Sequence, residues 1–425
     1  MEFHRFSLSN GVRVIAAPMT SASIVAVQVL FSCGSRAEED NEIGKAHMNE
    51  HMFFRGGRDF PDSKSVERER WLLGDISSAV TSLEHVHYYI IVSSKFLERA
   101  VHLLSDMLVY ARFNAEDLEK ERGAVIRELK QIPDDPERLS YEAFLKLFFG
   151  DHPLGRTFED ELGPVTGFSA DDVRGFKERF YGPPNMVISI AGGIDVSEAG
   201  ELLERYFGAV SYKEVVSWKK FNPVSCPEPA RFVERKELEG SYLWIGSPAP
   251  SYLGKDAMIS LILNQIFNKR LWFKIRDERG LAYDVGSMIW SYSDTGVLCA
   301  SIDVSNDNRD VEKSIRLLFE EMVDIRDGGI TEQEFYDAKT SFYSQFDLSL
   351  VSPSNISWFF GSHELLYDAV KSISQVHREI EEVTRDRVIS LSQDLWQEEQ
   401  VRALLLSPGF PQFEKTYCKL RSVLK

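Results

Sequence analysis

Two histidines four residues apart, with a glutamate between them, set the strongest local constraint on this chain. The stretch from Gly44 to Gly57, GKAHMNEHMFFRGG, holds His47, Glu50 and His51 in the order H-x-x-E-H. That order has chemical meaning only on a helix, where residues 47 and 51 project from one face a single turn apart. Two imidazoles so placed can share a divalent metal, and Glu50 lies close enough to take a proton from water beside it. The same spacing also suits two solvated or core-satisfied histidines on an amphipathic helix. A third ligand must separate these readings, because a metal site of the catalytic type takes three protein ligands and leaves one position open.

Charge and cysteine content bound the remaining possibilities. The chain has 425 residues, with 49 Lys and Arg against 66 Asp and Glu, a formal charge of −17. No basic run offsets this excess, so phosphate would be repelled and nucleic-acid binding is not expected. An acidic cavity would instead favour basic or amphipathic peptides. The four cysteines, Cys33, Cys226, Cys299 and Cys418, are scattered without a C-x-x-C pair. That pattern suits a reducing compartment and argues against cysteine ligands for zinc. The opening residues, MEFHRFSLSNGVRVIAAP, lack a basic segment followed by an apolar one, and the longest apolar run, 24–33, is too short to cross a membrane. A cytoplasmic protein with no membrane span is the expectation.

Along the chain, Ser9-Asn10-Gly11 separates two short apolar runs and predicts a hairpin, followed by a more buried strand over 23–32. Asp62 is placed to cap a helix that stops at Gly74. Strands are expected on both sides of Glu84, then helices near 95–112, 114–132 and 136–149, a helix opened by Ser169, a strand over 185–191 and a helix over 196–208. Residues 214–230 carry three prolines and no periodicity, which reads as a linker. Beyond it the order partly repeats: strands near 231–247, a helix from about 255, strands at 283–293 and 297–304, helices near 309–327, 331–349 and 353–369, and a late strand at 401–406. The fold class expected is α+β, built from two tandem homologous domains, 1–213 and 231–425, each a mainly antiparallel sheet covered by helices. The second half has no histidine in Lys255 to Phe267, where the first half has its candidate metal helix, so only the first half can carry a metal site.

The helix over 114–132 offers a third ligand. Leu118, Val125, Leu129 and Ile132 form its apolar stripe, and Glu121 and Glu128 fall together on the stripe's edge. An inward-facing carboxylate needs a cation or donors, so one could be a ligand and the other support a ligand from behind. Two surface glutamates beside Arg122 and Lys130 would give the same pattern.

With these residues in view, the chain resembles the insulinase/pitrilysin family of inverted-motif zinc peptidases. Within it, the resemblance is to the short-chain branch that includes the β subunit of mitochondrial processing peptidase. LEKERGAVIRELKQIPDDPE, FYGPPNMVISIAGGID and IRDERGLAY carry the likeness over nearly the whole chain. It implies that His47, His51 and Glu128 hold Zn²⁺, that Glu50 is the general base and that Glu121 supports the site. It implies that Arg276 and Tyr283, in the inactive homologous domain, bind the substrate carbonyl and its oxyanion. It also implies that GDISSAVT, with Ser78, Ala79 and Val80, is the edge strand on which substrate pairs. The function implied is endopeptidase cleavage of peptides or unfolded segments inside a closed chamber. One chain would be half of a clamshell, completed as a homodimer with composite sites. A non-catalytic, peptide-binding or assembly subunit of the same fold is the alternative. Four departures from the family pattern stand out: Asn49 in place of an apolar residue, Asp75 for a glycine, Ser78 for an asparagine, and Asn264 to Asn268 for a glycine-rich turn.

Overall fold

The computed structural model describes residues 2–222, 228–367 and 370–425. Its strands form two sheets. In the first half these are β1 (His4–Ser7), β2 (Arg13–Pro18), β3 (Ile24–Phe31), β4 (Ser77–Thr81), β5 (Val86–Ser93) and β6 (Met186–Gly192), in the order β1-β2-β6-β3-β5-β4. In the second half β7 (Ala230–Glu234), β8 (Gly240–Ala249), β9 (Ala282–Ser291), β10 (Gly296–Ser305) and β11 (Arg402–Ser407) take the order β7-β11-β8-β10-β9. Apart from β1, the two orders are equivalent strand for strand. Each sheet has a single parallel pair, β2 with β6 and β7 with β11, and is otherwise antiparallel.

The helices of the first half are α1 (Lys45–Phe53), α2 (Ser63–Leu72), α3 (Leu97–Val109), α4 (Ala115–Gln131), α5 (Pro136–Phe149), α6 (Phe158–Val165), α7 (Ala170–Phe180) and α8 (Val196–Phe207). Those of the second half are α9 (Ala257–Leu271), α10 (Asn308–Arg326), α11 (Glu332–Ser349), α12 (Pro353–Tyr367), α13 (Ile373–Glu382), α14 (Arg385–Leu395) and α15 (Phe413–Arg421). Caps account for several starts. Asp62 accepts from Ser65 N in a reciprocal capping box at α2, and Ser169 does the same with Asp172 at α7. Four helices lay outside the sequence expectation: α6, α13, α14 and α15. Of these, α6 spans only eight residues and contains Pro164, so its Phe158, Leu162 and Val165 spacing is too short to stand out.

The compact units are not the contiguous stretches 1–213 and 231–425. One comprises residues 1–130, 158–219 and 347–373; the other comprises 131–157, 220–346 and 374–425. Thus α12 packs on the first sheet and α5 on the second. Close approach explains how each helix seats. A Cβ on Gly361 of α12 would lie 2.7 Å from Ser189 Cβ and 2.9 Å from Leu30 Cδ1, on β6 and β3. A Cβ on Gly246 of β8 would lie 2.9 Å from Phe144 Cζ on α5. Polar contacts add to this packing. Arg5 makes a bidentate pair with the fully buried Glu364 of α12 at 2.8 Å, and Arg13 donates to Glu364 O at 2.8 Å. Within the second unit, Trp244 Nε1 donates to Ser140 Oγ of α5 at 2.8 Å. The expected linker has no regular structure over 214–222, its residues 223–227 lie outside the described residues, and β7 already begins at Ala230. The helix expected over 353–369 runs to Tyr367, and 368–369 lie outside the described residues.

Candidate metal centre

Helix α1 is fixed at its start by a side chain from outside it. The buried Glu38 carboxylate accepts from Gly44 N at 3.1 Å and Ala46 N at 2.7 Å, satisfying donors that the first turn leaves open. Negative charge there also suits the helix dipole. Ala46, Met48, Asn49, Met52 and Phe53 are buried, which turns His47, Glu50 and His51 to the other face. Asn49, at a position where the family pattern is apolar, donates to Lys45 O at 2.9 Å and Val173 O at 3.0 Å, tying α1 to α7. After α1 the chain turns sharply through Gly56, at φ +111°, and Gly57, whose Cβ would meet Asp106 O at 2.3 Å. The buried Asp106 carboxylate accepts from the backbone N–H groups of Arg58, Asp59 and Phe60.

The two imidazoles stand edge to face with centroids 4.9 Å apart. Helix α4 brings Glu128 to them: its Oε2 lies 3.6 Å from His47 Nε2 and 3.7 Å from His51 Nε2. Those separations exceed a hydrogen bond, and they approach the roughly 3.3 Å edge of a tetrahedron of N and O ligands around zinc. His47, His51 and Glu128 are the one group of three such side chains with converging donor atoms among the described residues. Each imidazole uses its other nitrogen on a carboxylate. His51 Nδ1 lies 2.8 Å from Glu121 Oε2, and His47 Nδ1 lies 2.8 Å from Glu161 Oε1. Both Nε2 atoms are therefore held toward the shared point. The donor set fits a borderline divalent cation such as zinc.

Electrostatics agree with that fit. Burial resists charge on His47, yet the Glu128 and Glu161 carboxylates overcome it and lift the imidazole to about 10. His51 is raised in the same way, by Glu121 and Glu128 against burial. The two imidazoles hold Glu128 well below the ordinary carboxylate range. Burial works against charge on Glu121, but His51 and Arg55 keep it lowered. Surplus negative charge thus gathers protons here, and a cation would compete with them for the same atoms.

Glu161, on α6, was not singled out from sequence. Its helix is only eight residues long, and nothing in FEDELGPV distinguishes this glutamate from Glu159. The fold delivers it by two contacts. Arg122 of α4 donates to the carbonyls of Val165 and Phe168, holding the end of α6. Gly44, at φ +94°, leaves the space beside it; a Cβ there would lie 2.8 Å from Glu161 Cγ.

Glu50 reaches the sheet edge, where Thr81 Oγ1 donates to its Oε2 at 2.5 Å. Thr81 ends β4, so Ser78, Ala79 and Val80 lie beside the metal group on a strand that, among the described residues, pairs only with β5. Ser78 is exposed and makes only a 3.4 Å contact to Ala79 O. Asp75 takes the left-handed φ of +57°, a conformation glycine adopts freely and aspartate tolerates; its carboxylate lies 3.4 Å from Arg70. His85, just before β5, and His87, within it, lie outside the metal group and pack on Trp358.

Arg276 and Tyr283 belong to the other compact unit. Arg276 lies in the π-helical turn Trp272–Asp277 that follows α9, and Tyr283, 86% exposed, lies near the start of the edge strand β9. Asn264 and Asn268, where the family pattern has a glycine-rich turn, lie inside α9. They accept from Ser287 Oγ and Ser287 N, both at 2.8 Å, pinning β9 to the helix.

Two family models match this chain: Insulinase (Peptidase family M16) over residues 13–161, and Peptidase M16 inactive domain over 167–342. The chain belongs to the insulinase family, M16. It is 28% identical over 412 residues to an uncharacterized zinc protease of Bacillus subtilis, covering 95% of this chain and 98% of that one. Among solved structures, a protease from Helicobacter pylori superposes with a TM-score of 0.87 at 19% identity, covering 96% of this chain and all of that one. The periplasmic protease PqqL from Escherichia coli gives a TM-score of 0.81 at 19% identity over 99% of this chain, but only 50% of its own length. Among the described residues, no helix is long and apolar enough to cross a membrane.

Proposed function

We propose that this chain is a zinc-dependent endopeptidase. The observation that carries the reading is the convergence of His47, His51 and Glu128 beside Glu50, next to a strand edge that no described residue pairs with. Zinc held by these three ligands would supply Lewis acidity toward a peptide carbonyl and toward water. Thr81 orients Glu50 through Oε2 and leaves Oε1 without a hydrogen bond among the described residues. Glu50 takes the proton of the attacking water and returns it to the leaving amine. Glu121 and Glu161 hold the imidazole rings in place. Main-chain pairing along Ser78, Ala79 and Val80 holds the substrate extended.

Arg276 and Tyr283 are assigned to the carbonyl oxygen and its developing negative charge. Their exposure supports that role. We further propose a homodimer in which one chain's metal group meets its partner's arginine and tyrosine. PqqL, at twice this chain's matched length, supports the idea that two such lengths make one working unit. Two buried free thiols, Cys33 and Cys299, support a reducing, cytoplasmic setting.

The test is a peptide-library digest, with and without a chelator, read by mass spectrometry beside metal analysis. About one zinc per chain with chelator-sensitive cleavage is expected. Bound metal without cleavage would favour a peptide-binding or assembly subunit of the same fold.

A further inference from the structure

Strand β4 separates two surfaces. Its residues Ser77, Ala79 and Thr81 face α1 and the metal group, where Thr81 holds Glu50. Ile76, Ser78 and Val80 point the opposite way, because successive side chains of a strand alternate. The register sets Val80 opposite His87 and Ser78 opposite Tyr89, and Ile91 N donates to Ile76 O at 2.9 Å. On this second face, Val80 is 43% exposed and Ile76 54% exposed. The exchanged helix α12 closes the inner side with Trp358, whose ring lies 4.5 Å from His87 and 5.3 Å from His85. His87 is stacked on Tyr89 at 6.0 Å and on His85 at 5.7 Å.

The result is an aromatic shelf beside an open strand edge. His87 Nδ1 is buried without a hydrogen-bond partner, as suits an uncharged ring. Burial lowers both histidines to about 4, so they are neutral near pH 7. In a chain of net charge −17, none of Ile76, Ser78, Val80, His87, Tyr89 and Trp358 carries a formal charge near pH 7.

We propose that the shelf is a side-chain subsite. A peptide paired to the free edge of β4 sets every second side chain over Val80, His87, Tyr89 and Trp358, and the shelf selects apolar, above all aromatic, residues there. Successive residues on that face are about 6.8 Å apart, somewhat wider than the 5.7 and 6.0 Å between the stacked rings. Against this neutral surface, lysine would lose hydration without gaining a partner. An amphipathic substrate, apolar on one side of the strand and polar on the other, fits both faces of the edge. The inference rests on the peptidase reading and adds the substrate class.

The test uses the zinc-loaded full chain and quenched peptides that differ at one position of the shelf-facing register, carrying Phe, Leu, Ser or Lys. Wild type is expected to prefer Phe over Lys by about tenfold or more in kcat/KM. Val80→Asp, at an exposed position, is expected to bring the Phe-to-Lys ratio of kcat/KM down to about one, and that ratio is the readout because the strand's backbone also pairs with substrate. Trp358→Ala should do the same, and Val80→Asp still decides the matter should Trp358→Ala fail to fold. Binding of the same peptides to Glu50→Gln is measured in parallel by fluorescence anisotropy. Cleavage with no Phe preference, or a preference that survives Val80→Asp, overturns the subsite and leaves the peptidase standing. Selective binding without cleavage by wild type overturns the peptidase reading and leaves the subsite. Neither binding nor cleavage overturns both.

Discussion

His47 and His51 each spend Nδ1 on a carboxylate, which leaves Nε2 of both rings free for a cation. Their surroundings separate orientation from proton transfer, and substitutions should separate them too. Glu50→Gln keeps every ligand and both supporting carboxylates, so metal content should be unchanged while turnover falls at least about a hundredfold. Metal analysis beside a quenched-peptide assay checks both halves. Glu161→Gln leaves Glu50 in place but weakens the hold on His47. Zinc affinity should fall about tenfold to a hundredfold in a chelator competition, with Glu121→Gln giving a comparable loss. Of these two residues, Glu121 was implied by the family resemblance, its helix alone fitting two surface glutamates equally well. Glu161 was not legible, because its link to His47 spans 114 residues and depends on Gly44 and Arg122. A second residue-scale prediction concerns pH. His85 and His87 have folded values near 4, below the ordinary imidazole value of 6.5. Between those limits the unfolded chain binds more protons, so their contribution to stability is lost as pH falls through that window and declines no further below about 4. His87→Phe should flatten the decline in urea midpoint between pH 7 and pH 4, measured against wild type under identical chelated conditions.

At the scale of elements, helix α12 does work that no local pattern announces. It is written in the second half of the chain and packs on the sheet of the first. Glu364 accounts for part of its hold, since its fully buried carboxylate meets Arg5 and Arg13. Glu364→Ala would leave two guanidiniums facing an apolar gap. Because Arg5 is half exposed and can turn to water, the loss should sit near the low end for a broken buried pair, about 2–3 kcal/mol. Urea denaturation followed by tryptophan fluorescence would read this, since α12 carries Trp358. A helix over 353–369 was expected from sequence. Its destination was not: helical periodicity says that one face is buried, and is silent about which sheet buries it.

For the whole molecule, duplication is the governing fact. Two sheets share one strand order, yet only the first is served by a helix with the metal motif. The arginine and tyrosine stand on the second unit, exposed on the π-turn and the edge strand that follow α9. A homodimer with composite sites predicts complementation. Inactive Glu50→Gln chains mixed with inactive Arg276→Ala/Tyr283→Phe chains should regain part of the activity, since one site of the mixed dimer joins intact halves. Recovery is read after subunit exchange has been shown by mass; a fully active monomer, or no recovery, would place the site within one chain.

Sequence by itself determined the features that depend on spacing along the chain: a helix that must present His47, Glu50 and His51 together, a second helix with Glu121 and Glu128 on one edge, and a strand-then-helix order that repeats. Each follows from backbone periods of 3.6 and 2 residues, which are local. Tertiary structure alone decided that Glu161 stands behind His47, that α5 and α12 change sheets, and that Trp358 completes a neutral shelf beside β4. Those outcomes rest on close approach between segments more than a hundred residues apart, where a missing Cβ or a buried carboxylate settles which surfaces can meet.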